Sequence, residues 1–357
     1  MRTEIGSDYW LTMEEYEKAL ASPPIVEVPV ALSDVTFTNL CRTGIELFLE
    51  KLNVANGRVL VPEFTCHSVI EPFVHHGFDV FCYAIKDNLD IDVERFTDTV
   101  KQIGPHIIVL HSYFGFNTIK ANVKELVPDA IIIEDLTQRL LSSFPLIEAD
   151  AYVGSLRKWF PVPDGGFYSG KLRIEWAENR FDDDYISLEL KALLAKGRYI
   201  TGESDQKEGF RKDFAIARNM LDEGQRIYSM SSISKKICNS VDIATLRSAR
   251  QVNGRYLVEK LKEFSFLQVP LDDVDDETVP FLIPVFVKEH RKNFQTYLAI
   301  NNIYATVIWT CPDIIENQIS KTGRYVYDHI LCFHCDHRYG LDDIQRIYEV
   351  IKAYNNE

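Results

Sequence analysis

The chain has 357 residues, 46% of them hydrophobic, enough to bury a sizeable core and a length that suits one large α/β domain with a smaller one appended. Its 53 acidic side chains outnumber its 39 basic ones, for a formal net charge of -14, so a nucleic-acid duplex or an anionic membrane is repelled, although a few converging Arg or Lys side chains could still hold a small anion. The start, MRTEIGSDYWLTMEEYEKAL, lacks a basic patch followed by an apolar run, no later stretch is apolar for the length of a bilayer, and seven scattered cysteines read as free buried thiols; a reduced, cytoplasmic setting is expected.

In chain order, the first feature is TNLCRTGIELFLEKL, a turn-like stretch running into a helix that starts near Arg42 or Thr43. Free backbone N–H groups and the positive end of the dipole make such a start a phosphate cradle, though alone it is merely a capped helix. Between Val59 and Gly170 short apolar runs alternate with amphipathic helix-length segments, as in a doubly wound, mostly parallel sheet with helices on both faces. The expected strands are Val59 to Pro62, Asp79 to Ala84, His106 to Leu110, Ala130 to Glu134, Asp150 to Gly154 and Gly166 to Gly170. Helices are expected over Asp92 to Gln102, where Val93, Phe96 and Val100 share a face, and over Ile119 to Leu126. From Tyr185 to about Asp242 the pattern is helical and charged, with a domain boundary expected at the Ser-rich Ser229 to Ser234. A long helix from Ile243 to Phe264, a strand from Val279 to Val287, a helix from Arg291 to Asn301, a strand near Ile330 and a helix from Leu341 to Tyr354 complete the chain. The expected division is a large domain over residues 1–235 and a small α+β domain over 236–357, on which the first stretch of about 30 residues packs.

In open α/β sheets ligands bind beyond the carboxyl ends of the strands, so polar residues after apolar runs carry the interest. Asp135 follows one such run directly and can point into a cleft; taken alone, a strand-end acid is more often a helix cap or loop residue. In GSLRKWFPVPDGGFYSG, Ser155 and Lys158 follow another, and Gly165 and Gly166 permit close backbone approach or a tight turn. A snorkelling Lys beside a turn is the plainer alternative. A lysine for an imine, an acid facing a pyridinium nitrogen and an anion site at Arg42 and Thr43 are together what pyridoxal 5'-phosphate (PLP) chemistry requires. The acid keeps the ring nitrogen protonated so that the ring accepts electrons from a substrate carbanion; Lys158, displaced by the incoming amine, then shuttles the proton.

The order of TNLCRTGIELFL, VLVPEFTCHSVIEPFVHHGFDVF, IIIEDLTQ, GSLRKWFPVPDGGF and CDHRYGLDDIQRI resembles the DegT/DnrJ/StrS family of PLP-dependent sugar aminotransferases, of the aspartate aminotransferase superfamily and fold type I, from about Phe37 to the C-terminus. The resemblance implies a large PLP domain, a small C-terminal domain, and a homodimer with active sites at the subunit interface. It implies transfer of an amino group from an amino-acid donor such as glutamate to a nucleotide-linked keto sugar. By position it makes Asp135 the partner of the pyridine nitrogen, Gln138 a neighbour of the ring oxygen or face, Lys158 the imine lysine and Ser155 a phosphate-binding hydroxyl. Arg42 and Thr43 fall where the family's Gly-Thr pair gives backbone N–H groups to the phosphate. Where the family stacks an aromatic residue on the ring, this chain has Cys66, which leaves Phe64 or His67 to take that part; the family's Gly-Tyr-Asn segment is not found. A lysine at 158 argues against the family's sugar dehydratases, which carry His there. The competing readings are another PLP-dependent fold type I enzyme, a PLP-binding non-catalytic regulatory protein, or an unrelated nucleotide-binding enzyme, the last disfavoured because no G-x-G-x-x-G or P-loop follows the first strand.

Other signals carry less. CFHCDH, Cys332 to His337, has a C-x-x-C with two histidines, but no second ligand pair follows and Cys332 and His334 alternate with Phe333 as in a strand, so no metal is expected. His111 and Tyr113 sit at another strand end, as pocket lining or as core. Trp159 is expected at the site entrance and Trp309 in the small domain.

Overall fold

The structure, a computed structural model, describes residues 4–52, 54, 56–176, 180–222 and 227–354. Its central element is a mostly parallel seven-stranded sheet, in the order Thr36–Thr38, Gly166–Gly170, Ala151–Ser155, Ile131–Asp135, Ile107–His111, Arg58–Pro62, Asp79–Tyr83. Thr36–Thr38 runs antiparallel to Gly166–Gly170, whereas Asp79–Tyr83, Arg58–Pro62, Ile107–His111 and Ile131–Asp135 pair in parallel. Six of the seven lie within one residue of their expected bounds; Thr36–Thr38 carries no expectation above. The small shift matters: His111, Asp135 and Ser155 are the last residues of strands, so pairing fixes their backbones.

The chain forms two compact units. In the one built from residues 8–51 and 153–242, the helix Cys41–Leu52 lies close to Gly166–Gly170: a Cβ on Gly44 would sit 3.1 Å from the Phe167 carbonyl oxygen. The long helices Asp183–Thr201 and Lys207–Asp222 pack through Tyr185, Ile186 and Ala217. The first of them is capped by the Asp182 carboxylate and stopped by Gly202 at φ 87, a left-handed conformation that glycine adopts without steric cost.

The second unit, residues 4–7, 52–152 and 243–357, holds the four parallel strands and a three-stranded antiparallel sheet, Ile330–Phe333, Ile283–Val287 and Leu267–Gln268. Ile107, Ile108, Val109, Leu110, Ile132 and Ile133 are fully buried, which explains why these strands are apolar on both faces; each contributes roughly 2 kcal/mol by burial. Ile5–Gly6 pairs in parallel with Ile303–Tyr304, and Gly6 N–H donates to the Tyr339 hydroxyl at 2.8 Å.

Two expected elements begin four residues late, and the helix expected from Ile243 to Phe264 ends at Leu261. The helix Ile119 to Leu126 is reduced to Val123–Leu126, because the Thr118 hydroxyl accepts the Tyr113 N–H and its carbonyl accepts that of Ile91, which commits the preceding backbone to a loop. The strand expected from Val279 begins at Ile283, since the Pro280 and Phe281 carbonyls accept from Arg250 instead of from a neighbouring strand. The helices Met13–Ala21, His67–His75 and Lys321–His329 carry no expectation above. All seven cysteines are free, three of them buried and four part-exposed.

Candidate active site

In the second unit the ends of three parallel strands bring together Asp135, His111 and, just beyond Arg58–Pro62, Thr65. Asp135 and His111 are register partners and only 5% and 6% exposed, with His111 Nδ1 3.4 Å from Asp135 Oδ2. Asp135 Oδ1 accepts the Thr137 N–H at 2.8 Å. On the other side of the imidazole, Nε2 lies 2.9 Å from the Thr65 hydroxyl. Burial pushes His111 below the usual histidine range, and the Asp135 charge pulls it part of the way back.

The loop after Arg58–Pro62 is held from both sides. Tyr113 donates its hydroxyl to the Phe64 carbonyl at 2.6 Å, while the Tyr327 hydroxyl accepts the Thr65 N–H at 3.0 Å and donates to the Thr65 carbonyl at 3.2 Å. Both phenols are driven upward by burial and stay protonated. Gln138 Oε1 accepts the N–H of Phe114, a non-glycine residue at φ 55, so its amide is tied to the tightest point of the 113–115 turn. Gly115, at φ 90, follows; a Cβ there would lie 2.1 Å from the Val279 carbonyl oxygen.

Three residues considered for the cofactor's face fare differently. Phe64 is 0% exposed and surrounded by the rings of Tyr113, Trp309 and Tyr327, at centroid distances of 5.6, 4.9 and 5.0 Å. Cys66 is part-exposed at the N-cap of His67–His75, its sulfur 3.1 Å from the Ser68 hydroxyl, and His67 is exposed as the first helical residue.

In the first unit, Ser155 is buried at the end of its strand and Lys158 is exposed at the end of the single 3-10 turn Leu156–Lys158, while Leu156, Trp159 and Phe160 are buried. Trp159 is thus core, fully buried beside the lysine rather than at an entrance. The Leu156 N–H donates to the Gly165 carbonyl at 3.0 Å and the Gly165 N–H to the Asn39 carbonyl at 2.7 Å, so the lysine's turn is braced against the start of Cys41–Leu52. A Cβ on Gly166 would sit 2.2 Å from the Leu40 carbonyl carbon. Thr43 donates its hydroxyl to Asn39 Oδ1 at 2.7 Å, and the Arg42 guanidinium donates to the Leu221 carbonyl, away from the helix start.

Sequence reading passed over Asp164, which is 1% exposed. Its carboxylate accepts from Ser231 N–H at 2.9 Å, from the Ser231 hydroxyl at 2.6 Å and from the Ser234 hydroxyl. The signal was the S-x-x-S spacing, which puts one hydroxyl at the N-cap of Ser232–Ser240 and the other a turn later. Thr65 was passed over as well. At Cys332 to His337, Asp336 is engaged by Arg338 at 2.6 Å, and no group of side chains among the described residues is arranged to hold a metal. No helix among the described residues is long and apolar enough to cross a membrane.

This architecture is that of the fold type I PLP-dependent enzymes, as solved structures establish. The sugar aminotransferase CalS13 from Micromonospora echinospora is 16% identical, covering 99% of each chain, with a TM-score of 0.68. A DegT DnrJ EryC1 StrS aminotransferase from Brucella abortus is 15% identical over 100% of this chain and 92% of its own, with a TM-score of 0.66. The E. coli GDP-4-keto-6-deoxy-D-mannose-3-dehydratase with bound hydrated PLP is 16% identical over 98% and 99%, with a TM-score of 0.67. No protein-family model and no curated protein matches the sequence.

Proposed function

We propose that the chain is a PLP-dependent aminotransferase that moves an amino group from an amino-acid donor such as glutamate to a nucleotide-linked keto sugar. The observation that carries this reading is the buried carboxylate of Asp135, ending a parallel strand where α/β sheets bind ligands, in a chain whose fold is shared by a sugar aminotransferase and by a sugar dehydratase holding PLP.

Each part that the cofactor needs has a residue of the right chemistry. Asp135 offers an acceptor for a protonated ring nitrogen, Lys158 an exposed amine, and the start of Cys41–Leu52, which Gly166 approaches closely, offers the dipole and N–H groups of a helix N-terminus for a phosphate. Thr43 and Ser155 would add hydroxyls there. Arg42 would contribute its main chain alone, since its guanidinium is bound at Leu221. Gln138 would border the ring, and because its carbonyl oxygen accepts from Phe114, its NH2 end is the part left for a ring oxygen. Phe64 has no open face, so Cys66 and His67 remain to cover the ring. When bound, PLP supplies an electron sink for the carbanion made at the substrate. Lys158 Nζ would take the proton from the substrate carbon and return it, while Asp135 would hold the ring proton throughout. A homodimer completes the reading.

The test is spectroscopic. Purified protein loaded with PLP should absorb in the visible, lose that band with an amino donor, and fail to form it as Lys158→Ala. A band that donors leave unchanged would exclude transamination.

A further inference from the structure

We infer that His111 is a positioning residue for Asp135: a neutral imidazole that presents Nδ1 to the carboxylate, is fixed at Nε2 by the Thr65 hydroxyl, and leaves the carboxylate its full charge for a ring nitrogen. The purpose of this arrangement rests on the PLP reading; its geometry does not. Thr65 Oγ1, His111 Nε2, His111 Nδ1 and Asp135 Oδ2 form a line with contacts of 2.9 and 3.4 Å, and the three side chains are 0%, 6% and 5% exposed.

A carboxylate only accepts, so the imidazole N–H belongs on Nδ1. In a neutral ring Nε2 is then an acceptor, and Thr65 must be the donor. The Thr65 main chain is held in place, because the Tyr327 hydroxyl bonds its N–H and its carbonyl at once. The Thr137 N–H on Oδ1 fixes the carboxylate from the opposite side. The other groups facing the ring are Tyr113 and Trp309, at centroid distances of 6.0 and 6.1 Å, and neither carries charge. A doubly protonated His111 would neutralise Asp135 and compete with the cofactor for it; burial disfavours that form.

The test uses the full chain with and without PLP. In cofactor-free protein labelled with 15N-histidine, the His111 signal, assigned by its loss in His111→Asn, should show a ring protonated at Nδ1 and bare at Nε2. Thr65→Val, which keeps the shape and removes the hydroxyl, should move the Nε2 resonance. In a PLP titration read by visible absorbance, His111→Phe should bind about tenfold more weakly, the size of one lost hydrogen bond. His111→Asn, whose amide reaches the Nδ1 position, should recover more affinity than His111→Gln, and that comparison stands if His111→Phe fails to fold. A ring protonated at Nε2 or doubly protonated at neutral pH, or equal PLP affinity in all variants, overturns the inference. Wild-type protein that shows the stated tautomer yet never absorbs in the visible with PLP would sink the cofactor reading while supporting the geometry.

Discussion

Asp164 is the clearest residue-level case of a side chain whose work is out of sight of any ligand. Burial pushes its carboxyl above the usual range and the Ser231 and Ser234 hydroxyls pull it back, so three donors depend on one buried acceptor group. Asp164→Ala should destabilise the protein by about 2–4 kcal/mol, because a backbone N–H and two hydroxyls lose their acceptor together. Urea unfolding should read this as a lower midpoint with an unchanged slope. Asp164→Asn, which keeps one acceptor oxygen, should lose less. At Asp135 the expectation differs in kind: Asp135→Asn keeps the shape and removes the charge, so under the proposed function PLP affinity and turnover should fall while the unfolding midpoint moves little.

Elements in this fold are joined by single buried side chains, and Glu63 is the sharpest example. It follows Arg58–Pro62, is 1% exposed, and accepts the Ile85 N–H at 2.9 Å, the Ser320 N–H at 2.6 Å and the Ser320 hydroxyl at 2.9 Å. Ser320 is the N-cap of Lys321–His329, so one carboxylate joins a strand end, a neighbouring loop and a helix start. Glu63→Gln turns an NH2 toward a backbone donor and should cost about 1–3 kcal/mol. Hydrogen exchange should show faster amide loss over residues 320–329 before the central strands are affected. The inner strands Ile107–His111 and Ile131–Asp135 were legible in the sequence because they are β-branched runs with both faces buried, and Asp135 and Lys158 drew notice as candidates because they follow apolar runs. Two-residue strands such as Ile5–Gly6 and Leu267–Gln268 are too short for any periodicity to register. The fates of Phe64 and Arg42 were hidden for another reason. Trp309, Tyr327 and Leu221 reach them from far along the chain, and no local pattern encodes that packing.

For the whole molecule, titration sets opposing trends against one another. Burial pushes His337 down to about 4, so the folded protein binds fewer protons there than the unfolded chain, and stability is lost as pH falls from about 6.5 toward 4. Glu134, pushed up to about 7 by burial against the pull of Arg139, has the reverse sign: its folded state binds more protons, and stability is lost as pH rises from about 4.5 to 7. The profile of the intact protein mixes the two, so a difference isolates one. Between pH 7.5 and 5, His337→Gln should lose less stability than wild type, by roughly 2 kcal/mol, read from thermal unfolding at both values. The pairing of Ile5–Gly6 with Ile303–Tyr304 bears on the order of events during synthesis. The first strand leaves the ribosome nearly 300 positions ahead of its partner, a delay of roughly 15–60 s at ordinary elongation rates. The Tyr339 hydroxyl that binds Gly6 arrives later still. Ile5–Gly6 must therefore wait for a partner made much later, which makes it a place where a nascent-chain binder could delay maturation without touching the folded protein.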